Sequence, residues 1–157
     1  MGLTKSYSII GFIITLLLSF IVASNIESYR HPDSVNFLRE SLLESLESQK
    51  ENSNNPTLED TFDKFIIDLE NNLTEIKYKK LSLIRIIGCV VALFGGIFLR
   101  QKKKLGLHLF LGGNLFVLIA SFYFLGFGLS GWVINFSYLI FATISTVYFI
   151  RKRAYLN

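Results

Sequence analysis

At 157 residues, with 51% hydrophobic side chains and 15 phenylalanines, the chain has more apolar surface than one soluble domain of this length hides. Its mean hydropathy is +0.45, and it has runs near the twenty residues needed to cross about 30 Å of hydrocarbon, so it reads as an integral membrane protein. The net charge of +4 is uneven: residues 24–80 hold all 12 acidic groups and seven of the 16 basic ones, which leaves nine basic groups and no acid elsewhere.

Such segregation is what a membrane imposes, because carboxylates are excluded from spans and Lys and Arg collect on the cytoplasmic side. It argues against nucleic-acid binding, since the polar segment has no basic patch with interleaved aromatics. The single cysteine, Cys89, excludes an intrachain disulfide and a paired-thiol oxidoreductase.

Residues 1–6, with Lys5, read as a cytoplasmic N-terminus and residues 7–23 as a first transmembrane helix. Gly11, Thr15, Ser19 and Ala23 recur every four residues, a small-residue stripe suited to helix packing in lipid. The competing reading is a cleavable signal peptide, with residues 8–22 as its apolar region and Val22-Ala23-Ser24 as its cleavage site. The stripe favours retention.

Residues 24–80 read as an extracytoplasmic helical hairpin. Val35, Leu38, Leu42 and Leu46 repeat at helical spacing beyond Pro32, and Glu51 to Pro56 form a polar loop with a breaker. Thr57 and Asp60 have the spacing of a capping box. Leu58, Phe62, Phe65, Leu69, Leu73 and Ile76 then mark one apolar face, a candidate partner surface. No Gly or Pro separates this face from the apolar segment that begins at Leu81, so the spacing predicts one helix from about 58 to 99, roughly 60 Å long at 1.5 Å per residue.

Residues 81–99, 105–127 and 132–150 read as three further spans. With the N-terminus inside, the basic loop 100–104 and the tail 151–157 are cytoplasmic, and the uncharged turn 128–131 is outside. Gly88, Ala92 and Gly96 make a second small-residue stripe.

Arg85, Asn114 and Asn135 stand out among the polar residues inside the spans. Arg85 is an intramembrane charge; four residues past the start of its segment, it is expected to snorkel to the headgroups beside Lys79 and Lys80. Asn114 and Asn135 are expected to bond across helices.

Gly126-Phe-Gly-Leu-Ser-Gly131 spells the dinucleotide pattern GxGxxG. That chemistry needs a preceding strand and a later acid, and neither is present in the sequence, so the run reads as a turn between spans. His31 and His108 fall on opposite sides of the membrane and cannot share a metal. Glu59, Asp60, Asp63 and Asp68 have helical rather than ligand-loop spacing and read as a solvated face. Asn72-Leu-Thr74 fits a glycosylation sequon. Catalytic residues, cofactors and metals are not expected.

The run Gly95-Gly-Ile-Phe-Leu-Arg-Gln-Lys-Lys-Lys-Leu-Gly106 and the Gly- and Phe-rich helix after it resemble small uncharacterised bacterial four-helix membrane proteins over residues 81–157. The resemblance implies a bacterial inner membrane and brings no function. The layout alone also resembles claudin-like proteins, but residues 24–80 have neither the Trp nor the Cys pair of that family's first outer loop.

The expectation is an all-α membrane protein with four transmembrane helices. It is read as a non-enzymatic accessory subunit whose acidic hairpin contacts another membrane or extracytoplasmic protein, or a second copy. The alternative is a small oligomeric transport or channel component with Arg85 and Asn114 along its path.

Overall fold

A computed structural model describes residues 2–53 and 55–151, with side chains from Ile9 onward. The side chain of Lys5 and residues Asn54, Lys152 and Arg153 lie outside it. Six helices make up the described chain: α1 (Gly2–Arg30), α2 (Ser34–Glu51), α3 (Pro56–Asn72), α4 (Glu75–Arg100), α5 (Lys104–Leu125) and α6 (Leu129–Arg151). Four of them, α1, α4, α5 and α6, are long and apolar enough to cross a membrane. By that criterion the chain is a multi-pass membrane protein.

Helix α4 is the centre of the bundle. It packs antiparallel to α1 on one side and to α5 on the other. The α4–α5 contact is so close because small residues leave room for the facing helix: Gly88, Ala92 and Gly95 meet Gly106, Phe110, Gly113 and Val117. A Cβ added at Gly113 would lie 2.6 Å from the backbone nitrogen of Ala92 and the carbonyl of Gly88. Gly96 of the predicted stripe faces α1 instead, where a Cβ would come 3.3 Å from the Thr15 hydroxyl.

On α1 the stripe holds only at its start. Gly11 and Thr15 face α4, whereas Ser19 and Ala23 are exposed. The buried line runs through Gly11, Ile14, Leu18 and Asn25. A four-residue step overshoots the 3.6-residue turn by about 40° each time, so a strict i+4 series leaves the contact face after two steps.

The long helix expected over 58–99 is two helices. Leu73 leaves helical geometry at φ −97 and ψ 62, and the Thr74 hydroxyl accepts from the Lys77 N–H to cap α4. The Lys77 ammonium donates to the Asn71 carbonyl and to the Asn72 side chain. Polar side chains that satisfy free backbone groups can end a helix without Gly or Pro. The start of α3 differs too: Pro56 stands at its first turn and the Asn55 side chain accepts from the Thr57 N–H, so Asn55 is the cap rather than a Thr57–Asp60 box.

The break lets α3 turn away from the α4 axis and settle over the start of α6. Lys50 to Asp63 ties α2 to α3 near their turn, and at the other end Asn36 donates to Glu75 and ties α2 to the start of α4. Val35, Leu69, Leu73, Leu81 and Leu125 form a buried core beneath this pair. A second core, with Ile14, Leu18, Ala92, Leu99, Phe110 and Phe149, fills the opposite half of the bundle. Of the predicted partner surface, Leu69 and Leu73 are thus buried inside the chain, and Phe62 and Phe65 are half-buried. Leu58 and Ile76 remain exposed.

At the basic end, Arg100 closes α4 and Lys104 opens α5. Lys103 N–H bonds to the Phe98 carbonyl and Lys102 N–H to that of Leu99, a Schellman arrangement with Lys102 at φ 61 in the left-handed position.

Candidate functional site

Between the two apolar cores lies a layer of polar side chains. Each of three helices supplies two, at spacings that put both on one face: Arg85 and Cys89 on α4, Asn114 and Ser121 on α5, Asn135 and Tyr138 on α6. Arg85 donates from Nε to the Ser121 hydroxyl at 3.0 Å and from Nη2 to the Asn135 side-chain oxygen. Asn135 is oriented by its own donation to the Gly131 carbonyl at 2.7 Å. Tyr138 donates to Asn114 Oδ1 at 2.8 Å, and the Cys89 thiol approaches the same hydroxyl at 3.8 Å. Asn114 in turn donates to the Phe110 carbonyl.

Arg85 therefore points into the bundle and does not snorkel beside Lys79 and Lys80. Its stem leaves the inward face of α4, where Ser121 and Asn135 supply acceptors. These are neutral partners. Among the described residues no carboxylate pairs with Arg85, and the sequence has no Asp or Glu within residues 7–23, 81–99, 105–127 or 132–150. A charge at the bilayer centre costs about 2.5–3.5 kcal/mol on insertion scales, an upper bound for Arg85, which lies five residues in from Lys80. Two interhelical hydrogen bonds averaging about 0.6 kcal/mol each return less than half of that.

Arg85 and Cys89 line a cavity of about 220 Å³ between α1, α4 and α6, together with Ile21, Asn25, Ile134, Ser137, Tyr138 and Phe141. Asn114 faces a separate groove between α5 and α6, walled by Leu111, Leu115, Leu118, Thr143 and Val147. The structure thus joins Arg85 to Asn135 and places Asn114 in a neighbouring, separately lined space.

Sequence reasoning passed over Tyr138, Ser121 and Asn25. Helical spacing was the available signal, since Tyr138 lies three residues from Asn135 and Ser121 seven from Asn114.

The GxGxxG run is a helix–helix turn with a steric reason for each glycine. Gly126 adopts φ +76, which side chains resist. A Cβ at Gly131 would strike the Gly126 carbonyl, and one at Gly128 would strike the Asp68 carboxylate. Asp68 is not on a solvated face: it accepts from the Ser130 N–H at 2.8 Å and so caps α6 from α3. His31 pairs with Glu27 on α1, and His108 is exposed near the other end of the bundle. Among the described residues no cluster of three His, Cys, Asp or Glu is placed to hold a metal.

On the outer face of α2, Glu40, Glu44, Glu47 and Glu51 are all exposed at spacings of four, three and four. None joins an ion pair among the described residues. Phe37, 79% exposed, flanks them on the same side of the helix.

Compared with known proteins, the chain matches no family model, no curated protein and no solved structure.

Proposed function

We propose that this chain is a non-enzymatic interaction subunit of a cell membrane, most simply a bacterial inner membrane. The α2–α3 pair lies on the extracytoplasmic side in this reading and binds a basic surface of another protein. The observation that carries it is the glutamate stripe on α2. Four unpaired carboxylates on one helix face repel one another, and a cationic partner relieves that repulsion. An exposed Phe37 beside them adds the kind of aromatic anchor that interfaces favour. Self-association through this face is disfavoured, because two such stripes repel.

The orientation rests on charge. Arg100, Lys102, Lys103, Lys104 and Arg151 gather at one end of the bundle, away from the helix pair. Such an end faces the cytoplasm under the positive-inside rule. Retention of α1 is part of the same reading, because cleavage after Ala23 would strip Ile14 and Leu18 from the core.

The test is affinity purification from native membranes with the quadruple variant Glu40→Lys, Glu44→Lys, Glu47→Lys, Glu51→Lys. The expected result is loss of a partner that the unaltered chain retains, at equal membrane level. An unchanged partner set overturns the reading. Altered ion or solute flux through proteoliposomes on Asn114→Ala or Arg85→Ala would favour the transport alternative.

A further inference from the structure

The Arg85 cavity has the make-up of a site for a ligand with a charged head and an apolar body. Arg85 lines it, with a guanidinium bound only by neutral acceptors on Nε and Nη2; Nη1 makes no hydrogen bond among the described residues. Asn25, Ser137 and Tyr138 add polar groups, while Ile21, Ile134 and Phe141 supply apolar walls. The cavity separates α1 from α6 and reaches the bundle surface at Ser137, which is exposed.

Three considerations narrow the ligand. A fixed, desolvated guanidinium with a free N–H edge favours an oxyanion, and phosphate and carboxylate match its planar donor geometry. At about 220 Å³ the space is below the roughly 300 Å³ at which drug-sized pockets begin, so it holds a head group and not a whole amphiphile. Arg85 is five residues along α4 from Lys80, a descent of about 7.5 Å at 1.5 Å per residue. A phosphate at the membrane surface reaches it by sinking little more than one helical turn.

We propose that the cleft between α1 and α6 binds an anionic phosphate group, with Arg85 as the recognising charge and Ser137 at its mouth. Phospholipid phosphate and free phosphate share this chemistry. The cleft shares no residue with the α2 stripe, so this site stands or falls independently of the partner reading.

The experiment is native mass spectrometry of the full chain in neutral detergent, titrated separately with dioleoylphosphatidylglycerol, dioleoylglycerol and inorganic phosphate. The unaltered chain is expected to take up one phosphatidylglycerol and to ignore dioleoylglycerol, which lacks the oxyanion. Arg85→Gln is expected to weaken that binding about tenfold or more, as loss of a charged hydrogen bond does.

Ser137→Trp, which narrows the mouth and leaves both Arg85 bonds in place, is expected to weaken binding as well. It keeps the test decisive if Arg85→Gln fails to fold. Arg85→Lys is expected to fall between, since it keeps the charge and loses the planar fork. Inorganic phosphate binding that is lost in Arg85→Gln would support the site and assign it to a soluble oxyanion. Equal phosphatidylglycerol binding by the unaltered chain and the folded Arg85→Gln and Ser137→Trp variants would overturn the proposal, as would equal uptake of dioleoylglycerol.

Discussion

Helix α4 meets its neighbours in two opposite ways. Toward α5 it presents Gly88, Ala92 and Gly95, and the two backbones close to contact. Toward the gap between α1 and α6 it presents Arg85 and Cys89 and leaves a cavity. In lipid there is little hydrophobic drive to bring helices together, so van der Waals contact between small residues has to hold them. The glycine positions of α4 supply that contact, which leaves the adjoining positions Arg85 and Cys89 to carry polar groups and open space, with Arg85 still reaching Ser121 on α5. Close contact and a polar cavity lie side by side on one helix.

The sharpest test of the glycine side uses two adjacent residues. Gly113→Leu should be the most damaging single change, because its side chain would meet the backbone of α4, which cannot rotate away. Overpacking of this kind costs about 1–3 kcal/mol and occasionally more, and the upper end is expected here. Gly112 has nothing within 4 Å of an added Cβ. Gly112→Ala should be neutral or gain up to about 1 kcal/mol from helix propensity. Unfolding midpoints in mixed detergent–denaturant micelles read both. Equal effects at the two positions would break the claim that contact with α5, rather than glycine as such, sets stability.

The polar side should respond next. Asn135→Leu removes an acceptor from Arg85 and leaves the guanidinium under-bonded, at a cost of about 1.5–3 kcal/mol, typical for a hydrogen bond to a charge. Adding Arg85→Leu to that variant should restore stability, since the double change removes the stranded charge as well. A double variant no more stable than Asn135→Leu alone would show that the Gly131 carbonyl bond of Asn135, not Arg85, carries the effect.

A smaller effect belongs to the seam between the bundle and the α2–α3 pair. Asp68→Ala removes the carboxylate that accepts from Ser130 N–H. Loss of a helix N-cap costs about 1 kcal/mol. Faster amide hydrogen exchange should appear at the start of α6 and along α3, with little change at Gly88 or Gly113. Uniform exchange throughout would mean that α3 and the bundle unfold as one unit.

The spans and the basic end were legible in the sequence because hydropathy and charge act locally. Four apolar helices lie where the runs stand, though α1 extends to Arg30 and α6 begins at Leu129. The break at Leu73 was not legible, since it depends on Thr74 and Lys77 satisfying backbone groups rather than on a Gly or Pro. Asp68 was misread for a related reason. On α3 it looks like one acid among several, and only the fold across 62 residues brings it to Ser130. Arg85 was recognisable as unusual, but its direction was set by acceptors on two other helices, which no local pattern encodes. The α1 stripe shows the opposite error, a local repeat too strict for the helical period.

The weakest effect is expected at the far tip of the helix pair, where Lys50 meets Asp63. The Asp63 carboxylate, through its hydrogen bond, holds the Lys50 ammonium above its ordinary value of 10.5. A raised folded-state value means that the pair's contribution is fully present below the unfolded lysine range and fades as pH rises through the folded one. Both groups are partly solvated, so salt and water screen the pair. Thermal unfolding of the unaltered chain and of Lys50→Met should therefore differ slightly at neutral pH, with the gap closing above about pH 10.5 as the ammonium is lost. A gap that persists once Lys50 is deprotonated would assign the contribution to something other than the ion pair.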